Sequence, residues 1–278
     1  MITSSKFHVS ILLATYNWPS ALTLCLESLR RQTDLDFDII IADDGSKEDT
    51  RALIDEASKD FPVPITHMWQ EDFGFRKSKI LNLAIQRASG AYLVFLDGDC
   101  IVQPDFVLQH RKLARPGQLI TGSRILLSPE LTNSLCPLLL DAPVASQRLN
   151  DLFAQDSFLK TKLFKLRVNK QINKILPLLF KLPDHLFRSY PPYVWRRIKG
   201  CNMSCWRSDA LKINGFDESF EGWGHEDADF VFRLEELGVQ RKSGSFSTEV
   251  LHLWHNTHSD NKESINRERV LRRIKGNG

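Results

Sequence analysis

The chain has 278 residues, 42% hydrophobic, 26% charged and 10% aromatic. That is enough apolar material for one large domain or two small ones, and it excludes long disorder, a collagen repeat and a disulfide-framed miniprotein. The net charge of +3 conceals an uneven spread: between Lys160 and Lys199 stand eleven Lys or Arg against one acid, Asp184, which leaves the rest of the chain at −7. No apolar run reaches the ~20 residues of a membrane span, and the N-terminal stretch does not read as a signal peptide. The five cysteines are scattered and odd in number, which favours a reducing compartment over a disulfide framework. Cys201 and Cys205, four apart with no second pair, are a weak zinc reading.

Over the first 130 residues two patterns alternate. Short β-branched apolar runs predict strands at Val9–Ala14, Phe37–Ala42, Pro64–Trp69 and Ala91–Leu96, and helical spacing lies between them at Pro19–Gln32, Glu48–Lys59 and Lys77–Ala88. Strands alternating with helices imply βαβ units and an α/β fold with a mostly parallel sheet. The near-continuous apolar run Tyr92–Leu96 predicts a central strand covered on both faces. Residues 146–199 break the rhythm and read as a basic, leucine-rich helical insert divided by Pro177 and Pro183. A second compact region spans Gly200–Asn256, with a strand predicted at Phe246–Leu251. From Ser259 onward the charged residues predict a fraying surface helix.

Ligands of open α/β sheets sit at the carboxyl ends of the strands, so the residues there carry the argument. The first predicted strand ends in Thr15-Tyr16-Asn17, the second in Asp43-Asp44-Gly45-Ser46 and the fourth in Asp97-Gly98-Asp99. Two carboxylates one residue apart repel unless a cation sits between them, and a divalent ion with hard oxygen ligands is the natural solution; a solvated Asp-Gly turn is the plain alternative. Asp43 and Asp44 could accept hydrogen bonds from a nucleobase or ribose, with Ser46 expected to cap the next helix. Glu226 and Asp227 open a helix predicted over Asp227–Leu237, where the dipole favours acids anyway. That does not explain the Gly222-Trp223-Gly224 loop just before them. His252 and His255 follow a predicted strand, and beside the acids they make a mixed Asp/His divalent site plausible.

In order, Val-Ser-Ile-Leu-Leu-Ala-Thr-Tyr-Asn, Ala-Asp-Asp-Gly-Ser, Asp-Gly-Asp and Gly-Trp-Gly-His-Glu-Asp resemble family 2 nucleotide-sugar glycosyltransferases of the GT-A fold. Gly200 to His255 looks like the galactosyltransferase-type region of chondroitin-polymerase-like enzymes. The resemblance covers residues 8–130 and 200–256 and implies a division into a nucleotide-sugar half (1–130), a basic helical insert (131–199), an acceptor-binding and catalytic half (200–256) and a tail (257–278). It implies that Thr15, Tyr16, Asn17, Asp43, Asp44, Arg76, Lys79 and Asp97 hold the nucleotide of a UDP-sugar. It implies that Asp99, with His252 or His255, binds Mn²⁺ or Mg²⁺, His252 being preferred. Trp223 and Gly224 would line the acceptor, Asp227 would be the general base, and Glu226 would hold substrate hydroxyls. Transfer would proceed by direct displacement with inversion.

The insert admits three readings: a solvated charged face, an anionic membrane surface and nucleic acid. The aromatics do not interleave with its basic residues as a stacking platform would, which excludes nucleic acid. Membrane attachment is favoured, with Leu159, Leu163, Phe164, Leu166, Ile172, Ile175, Leu176, Leu179 and Phe180 offering apolar surface. The expected setting is the inner face of the cytoplasmic membrane, and the expected acceptor a glycan or lipid-linked saccharide. The rivals are a nucleotidyltransferase, disfavoured because no Gly-rich, Lys-containing phosphate loop is present, and a non-catalytic glycan- or membrane-binding subunit.

Overall fold

The computed structural model describes residues 7–153, 164–195, 197–220, 222–256 and 262–276. The predicted α/β rhythm is present almost residue for residue: β1 (Val9–Thr15), α1 (Pro19–Arg30), β2 (Phe37–Asp43), α2 (Glu48–Ser58), β3 (Ile65–Trp69), α3 (Lys77–Arg87) and β4 (Tyr92–Asp97). There follow β5 (Cys100–Val102), α4 (Phe106–Leu113), β6 (Gln118–Thr121), β7 (Arg124–Leu126), α5 (Pro129–Leu135) and α6 (Ala142–Phe153). The C-terminal part adds β8 (Asn202–Trp206), α7 (Glu226–Glu236), β9 (Gln240–Ser243), β10 (Val250–His252) and α8 (Lys262–Gly276).

Seven strands form one sheet in the order β3-β2-β1-β4-β8-β6-β9. The first four run parallel, while β8 is antiparallel to both β4 and β6. The chain builds outward from β1 to β3 and then returns to place β4 on the other side of β1, so the order reverses between β1 and β4. That switch point is where an open α/β sheet leaves a crevice. All seven residues of β1 are buried, as a strand covered on both faces requires. One face packs on Ile80, Leu81, Ala84 and Ile85 of α3 together with Phe230 and Phe232 of α7. The other packs on Leu22, Leu26 and Leu29 of α1.

A smaller sheet, β5-β10-β7, sits behind the site with β10 between its neighbours. Its strands are three residues each, and β10 is shorter and later than the predicted Phe246–Leu251. Phe246 has φ +61 and its amide donates to the Glu249 carboxylate, so a turn occupies the start of that run.

The insert is also less helical than its leucine spacing predicts. Among its described residues α6 and residues 164–168 are helical, but from residue 169 on only the short turns Leu176–Leu179 and Leu186–Arg188 interrupt irregular segments. Residues 154–163, including Leu159 and Leu163, lie outside the described set. Leu166, Ile172 and Ile175 pack with Leu149, Leu152 and Leu251 in a third apolar cluster. Ser46 does not cap α2: Lys47 occupies that position, and the Ser46 hydroxyl accepts the Asn17 amide at 2.9 Å. The C-terminal helix forms, but it is docked rather than loose, with Val270 fully buried.

Candidate functional site

Parallel register brings the ends of β1, β2 and β4 side by side: Thr15 pairs with Asp43 and Ala14 with Asp97. Gly98 then turns the chain tightly against β1, its amide donating to the Ala14 carbonyl at 2.7 Å. A Cβ there would meet that carbonyl oxygen at 3.1 Å and the Thr15 hydroxyl at 3.2 Å, so glycine is what permits the approach. The turn separates its two carboxylates. Asp97 faces α3 and forms an ion pair with the Lys77 ammonium. Asp99 faces the small sheet.

There Asp99 Oδ2 lies 3.2 Å from His255 Nε2 and 3.5 Å from His252 Nε2. One ligand atom from each of the three residues lies within 4.8 Å of the others. The His252 Nδ1 nitrogen sits 2.8 Å from the Leu253 carbonyl, which fixes the tautomer that leaves Nε2 with its lone pair. Burial pushes the His252 imidazole down and toward neutrality, opposing the pull of Asp99. The hydrogen bond to Asp99 holds His255 above its ordinary value. Burial would raise Asp99, but His255 and His252 hold it low. One carboxylate and two imidazoles converging are a donor set that fits a divalent first-row ion once His255 gives up its proton. Both histidines lie beside Asp99, His255 at the shorter distance. Arg124 stands beside them, its guanidinium 3.4 Å from His252 Nε2.

On the other side of β1, the nucleotide candidates organise one another. Asp43 is fully buried, accepting the Ser46 amide at 2.7 Å and facing His67 Nε2 at 3.0 Å. Asp44 accepts the Arg76 amide at 2.8 Å and a hydrogen bond from the Gln70 side chain. Asn17, at φ +46, accepts the Lys47 amide at 2.9 Å and so ties the end of β1 to the end of β2. Tyr16 is half exposed and donates to Asp72 at 2.8 Å. Arg76 lays its guanidinium over Phe73 at 4.9 Å, and Lys79 is exposed on α3.

Glu226 and Asp227 open α7. The loop before them runs through the left-handed region at Gly222, Gly224 and His225, with φ of +73, +105 and +71. The first two need glycine for that reason, and His225 stores strain of the kind found at functional sites. The loop holds Trp223 about 41% exposed. Asp227 Oδ2 accepts the Gly200 amide at 2.8 Å, and Oδ1 accepts the Ala228 amide at 2.7 Å. Glu226 is treated otherwise. Its Oε2 is buried with no hydrogen-bond partner among the described residues. Burial first, and then the Asp227 charge, raise it to about 7 against the opposing pull of Lys77.

Residues 10–129 match the model of glycosyl transferase family 2, and residues 185–256 match that of the N-terminal domain of galactosyltransferase. The chain has the GT-A fold, and its N-terminal part is similar to family 2 of the glycosyl transferases. Curated relatives agree with that match. Validoxylamine A glucosyltransferase of Streptomyces hygroscopicus subsp. jinggangensis is 28% identical over 95% of this chain and 60% of its own. Chondroitin synthase of Escherichia coli is 27% identical over 84% of this chain and 33% of its own. The chain thus spans about three fifths of the former and a third of the latter. In fold it is similar to the mannosyltransferase PcManGT of Pyrobaculum calidifontis, in complex with GDP-Man and Mn²⁺, at a TM-score of 0.60 with 14% identity over 96% of this chain and 63% of that one. It is also similar to GalNAc-T7 with UDP, GalNAc and Mn²⁺, at 0.62 with 14% identity over 96% of this chain and 48% of that one.

Within this GT-A chain, sequence reasoning passed over Lys77. The signal was present: a lysine in the first turn of a helix opposes the dipole and asks for a reason, and its pairing with Asp97 is that reason. Gly200 was also passed over, because a glycine that positions a carboxylate from a distant segment leaves no local pattern.

Proposed function

We propose that this chain transfers a sugar from a nucleoside-diphosphate sugar, a UDP-sugar in our reading, to a hydroxyl of a cell-surface glycan acceptor with inversion. The carrying observation is that Asp99, His252 and His255 converge at the sheet's switch point, while Asp227 is held in place by Gly200. Asp99, His252 and His255 would hold Mn²⁺ or Mg²⁺, which when bound neutralises charge on the departing diphosphate. The Mn²⁺ in the PcManGT and GalNAc-T7 complexes supports a divalent ion here. The chain's own residues do the rest. Thr15, Tyr16, Asn17, Asp43, Asp44, Arg76 and Lys79 form or brace the nucleotide side, and Lys77 pairs with Asp97 beside it. Trp223 and Gly224 offer the acceptor an apolar wall. The acceptor oxygen attacks the anomeric carbon as the bond to the diphosphate breaks, and the hydroxyl proton passes to Asp227. Glu226 accepts a hydrogen bond from a substrate hydroxyl.

Asp227→Asn tests the base. Turnover should fall by about 10²–10⁴-fold, the usual contribution of a positioned base, while UDP binding and unfolding temperature stay near wild type. Full turnover in that variant would sink the assignment.

The same reading places the chain at an anionic membrane surface, on its cytoplasmic face, with a lipid-linked or glycan acceptor. Among the described residues no helix is long and apolar enough to cross a membrane, so attachment would be peripheral. Leu186 and Phe187, 90% and 95% exposed beside the basic residues of the insert, support it.

A further inference from the structure

Behind the Asp99 carboxylate lies a second group of donors, two of which, Cys100 and Cys201, the transfer reaction does not use. Cys100 opens β5, Cys201 precedes β8, and His252 closes β10. Cys100 and His252 are register partners across the small sheet. All three are buried, at 1%, 3% and 8% exposure. One ligand atom from each lies within 4.8 Å of the other two. Asp99 divides this group from the hard donors: its Oδ1 accepts from the Cys100 thiol at 3.4 Å, while its Oδ2 faces the two imidazoles. Both cysteines are free thiols. Cys205, the nearer sequence partner of Cys201, packs in a different apolar cluster on the far side of the sheet.

The chemistry of such a group differs from that of Asp99. A tetrahedral ion with bonds of about 2.3 Å to sulfur and 2.0–2.1 Å to nitrogen sets its ligand atoms roughly 3.5–3.8 Å apart. Donors already within 4.8 Å reach that by movements of about 1 Å, within the compass of a side-chain rotation. Two thiolates match the charge of a dication, so coordination replaces two S–H protons, released to solvent, with one neutral buried centre. Thiolates select soft ions such as Zn²⁺ over Mn²⁺ or Mg²⁺. A water would complete the tetrahedron as a neutral fourth ligand.

We propose that Cys100, Cys201 and His252 form a site for a thiophilic divalent cation of the Zn²⁺ class. It is separate from the Asp99 site but shares His252 with it. Occupancy would draw His252 away from the hard ion, so Zn²⁺ would inhibit transfer with Mn²⁺ in excess. Only that consequence rests on the transferase reading.

The test uses Co²⁺ as the probe on the reduced full chain. One equivalent should give the near-ultraviolet sulfur-to-cobalt band and the visible absorption of a tetrahedral centre, both displaced by Zn²⁺. In Cys100→Ser/Cys201→Ser the band should vanish and Zn²⁺ affinity fall by at least about a hundredfold, with the unfolding transition intact. Should the double variant fail to fold, cadmium NMR of the wild-type chain reads thiolate ligation directly from its downfield shift. No band with stoichiometric Co²⁺, a band that survives both substitutions, or a cadmium shift typical of oxygen and nitrogen ligands alone would each overturn the proposal. In the kinetic arm, Cys201→Ser should keep basal turnover and lose Zn²⁺ inhibition; Zn²⁺ inhibition undiminished in that variant would overturn the shared-ligand consequence. A chain with no transferase activity would still give the Co²⁺ result, so failure of the functional reading and failure of this site are told apart.

Discussion

Glu226 and Asp227 are neighbours at the start of α7, and the fold gives their carboxylates opposite surroundings. Asp227 takes amides from Gly200 and Ala228, which hold its carboxylate in one orientation. Glu226 sits with a bare buried oxygen and is raised to about 7, chiefly by burial. A carboxyl whose folded value exceeds its unfolded one holds its proton longer in the folded state. Its favourable contribution is therefore full below the unfolded value and is lost as pH rises to about 7. Glu226→Gln removes that loss. Without nucleotide or metal, the variant's stability relative to wild type should climb between about pH 4.5 and 7, by on the order of 1–3 kcal/mol at 1.36 kcal/mol per pK unit, and then level off. Urea unfolding across that range measures it, and a flat difference would contradict it. Gly200 carries the companion prediction. A Cβ there would meet the Asp227 Cβ at 3.3 Å, so Gly200→Ala must push the carboxylate aside by a few tenths of an ångström. Steady-state kinetics should show kcat falling about tenfold with KM little changed, since misplacement of about 1 Å costs near a hundredfold.

At the scale of elements, legibility followed length and environment. The apolar runs β1, β2 and β4 are six or seven residues long and covered on both faces, so their composition alone announces them. The strands β5, β7 and β10, three residues each, have no room for a period, yet they position Cys100, Arg124 and His252. Thus the pairing of Asp97 and Asp99 with the strand end was readable from sequence. The opposite facing of those two carboxylates was not, because it depends on Lys77 and the small sheet. The tail shows the same limit: its charge predicted a loose helix, while the contacts that dock α8 come from far away. Arg273 reaches Asp229, which is fully buried, at 2.9 Å, and Asp217 at 2.7 Å, and the side chain of Glu263 lies against Gly224 in the Trp223 loop. Arg273→Met leaves Asp229 with Arg233 alone. Chemical denaturation should show a loss of about 1–3 kcal/mol, below the 3–5 of a fully buried broken pair because Arg273 is partly exposed. An unchanged midpoint would mean that α8 contributes nothing through this contact.

Across the whole molecule, the proposed function gives the chemistry to the polar strand ends and attachment to the basic insert. The insert's charge is not all available to a partner. Arg188 is only 3% exposed and donates to the carbonyls of Leu182, Pro183, Ser243 and Ser245 and to the Ser247 hydroxyl. Lys181 pairs with Asp105 at 3.3 Å. Much the same sorting applies to the apolar residues: Ile172 is spent in the core, while Phe164, Leu176 and Phe180 are half exposed or more. The consequence is that Arg188 staples the base of a turn whose tip, Leu186 and Phe187, stands almost wholly in solvent. An apolar tip on a basic segment suits an anionic bilayer, where apolar contact and charge add. Each fully buried large apolar side chain contributes about 1.5–3 kcal/mol, and partial insertion less. Leu186→Ser/Phe187→Ser should therefore weaken cosedimentation with anionic vesicles about tenfold or more without altering the unfolding midpoint. Wild-type binding should also fall as salt rises and be weak on neutral vesicles. Equal binding to neutral and anionic vesicles would remove the electrostatic half of the argument, and binding unmoved by the double substitution would remove the apolar half.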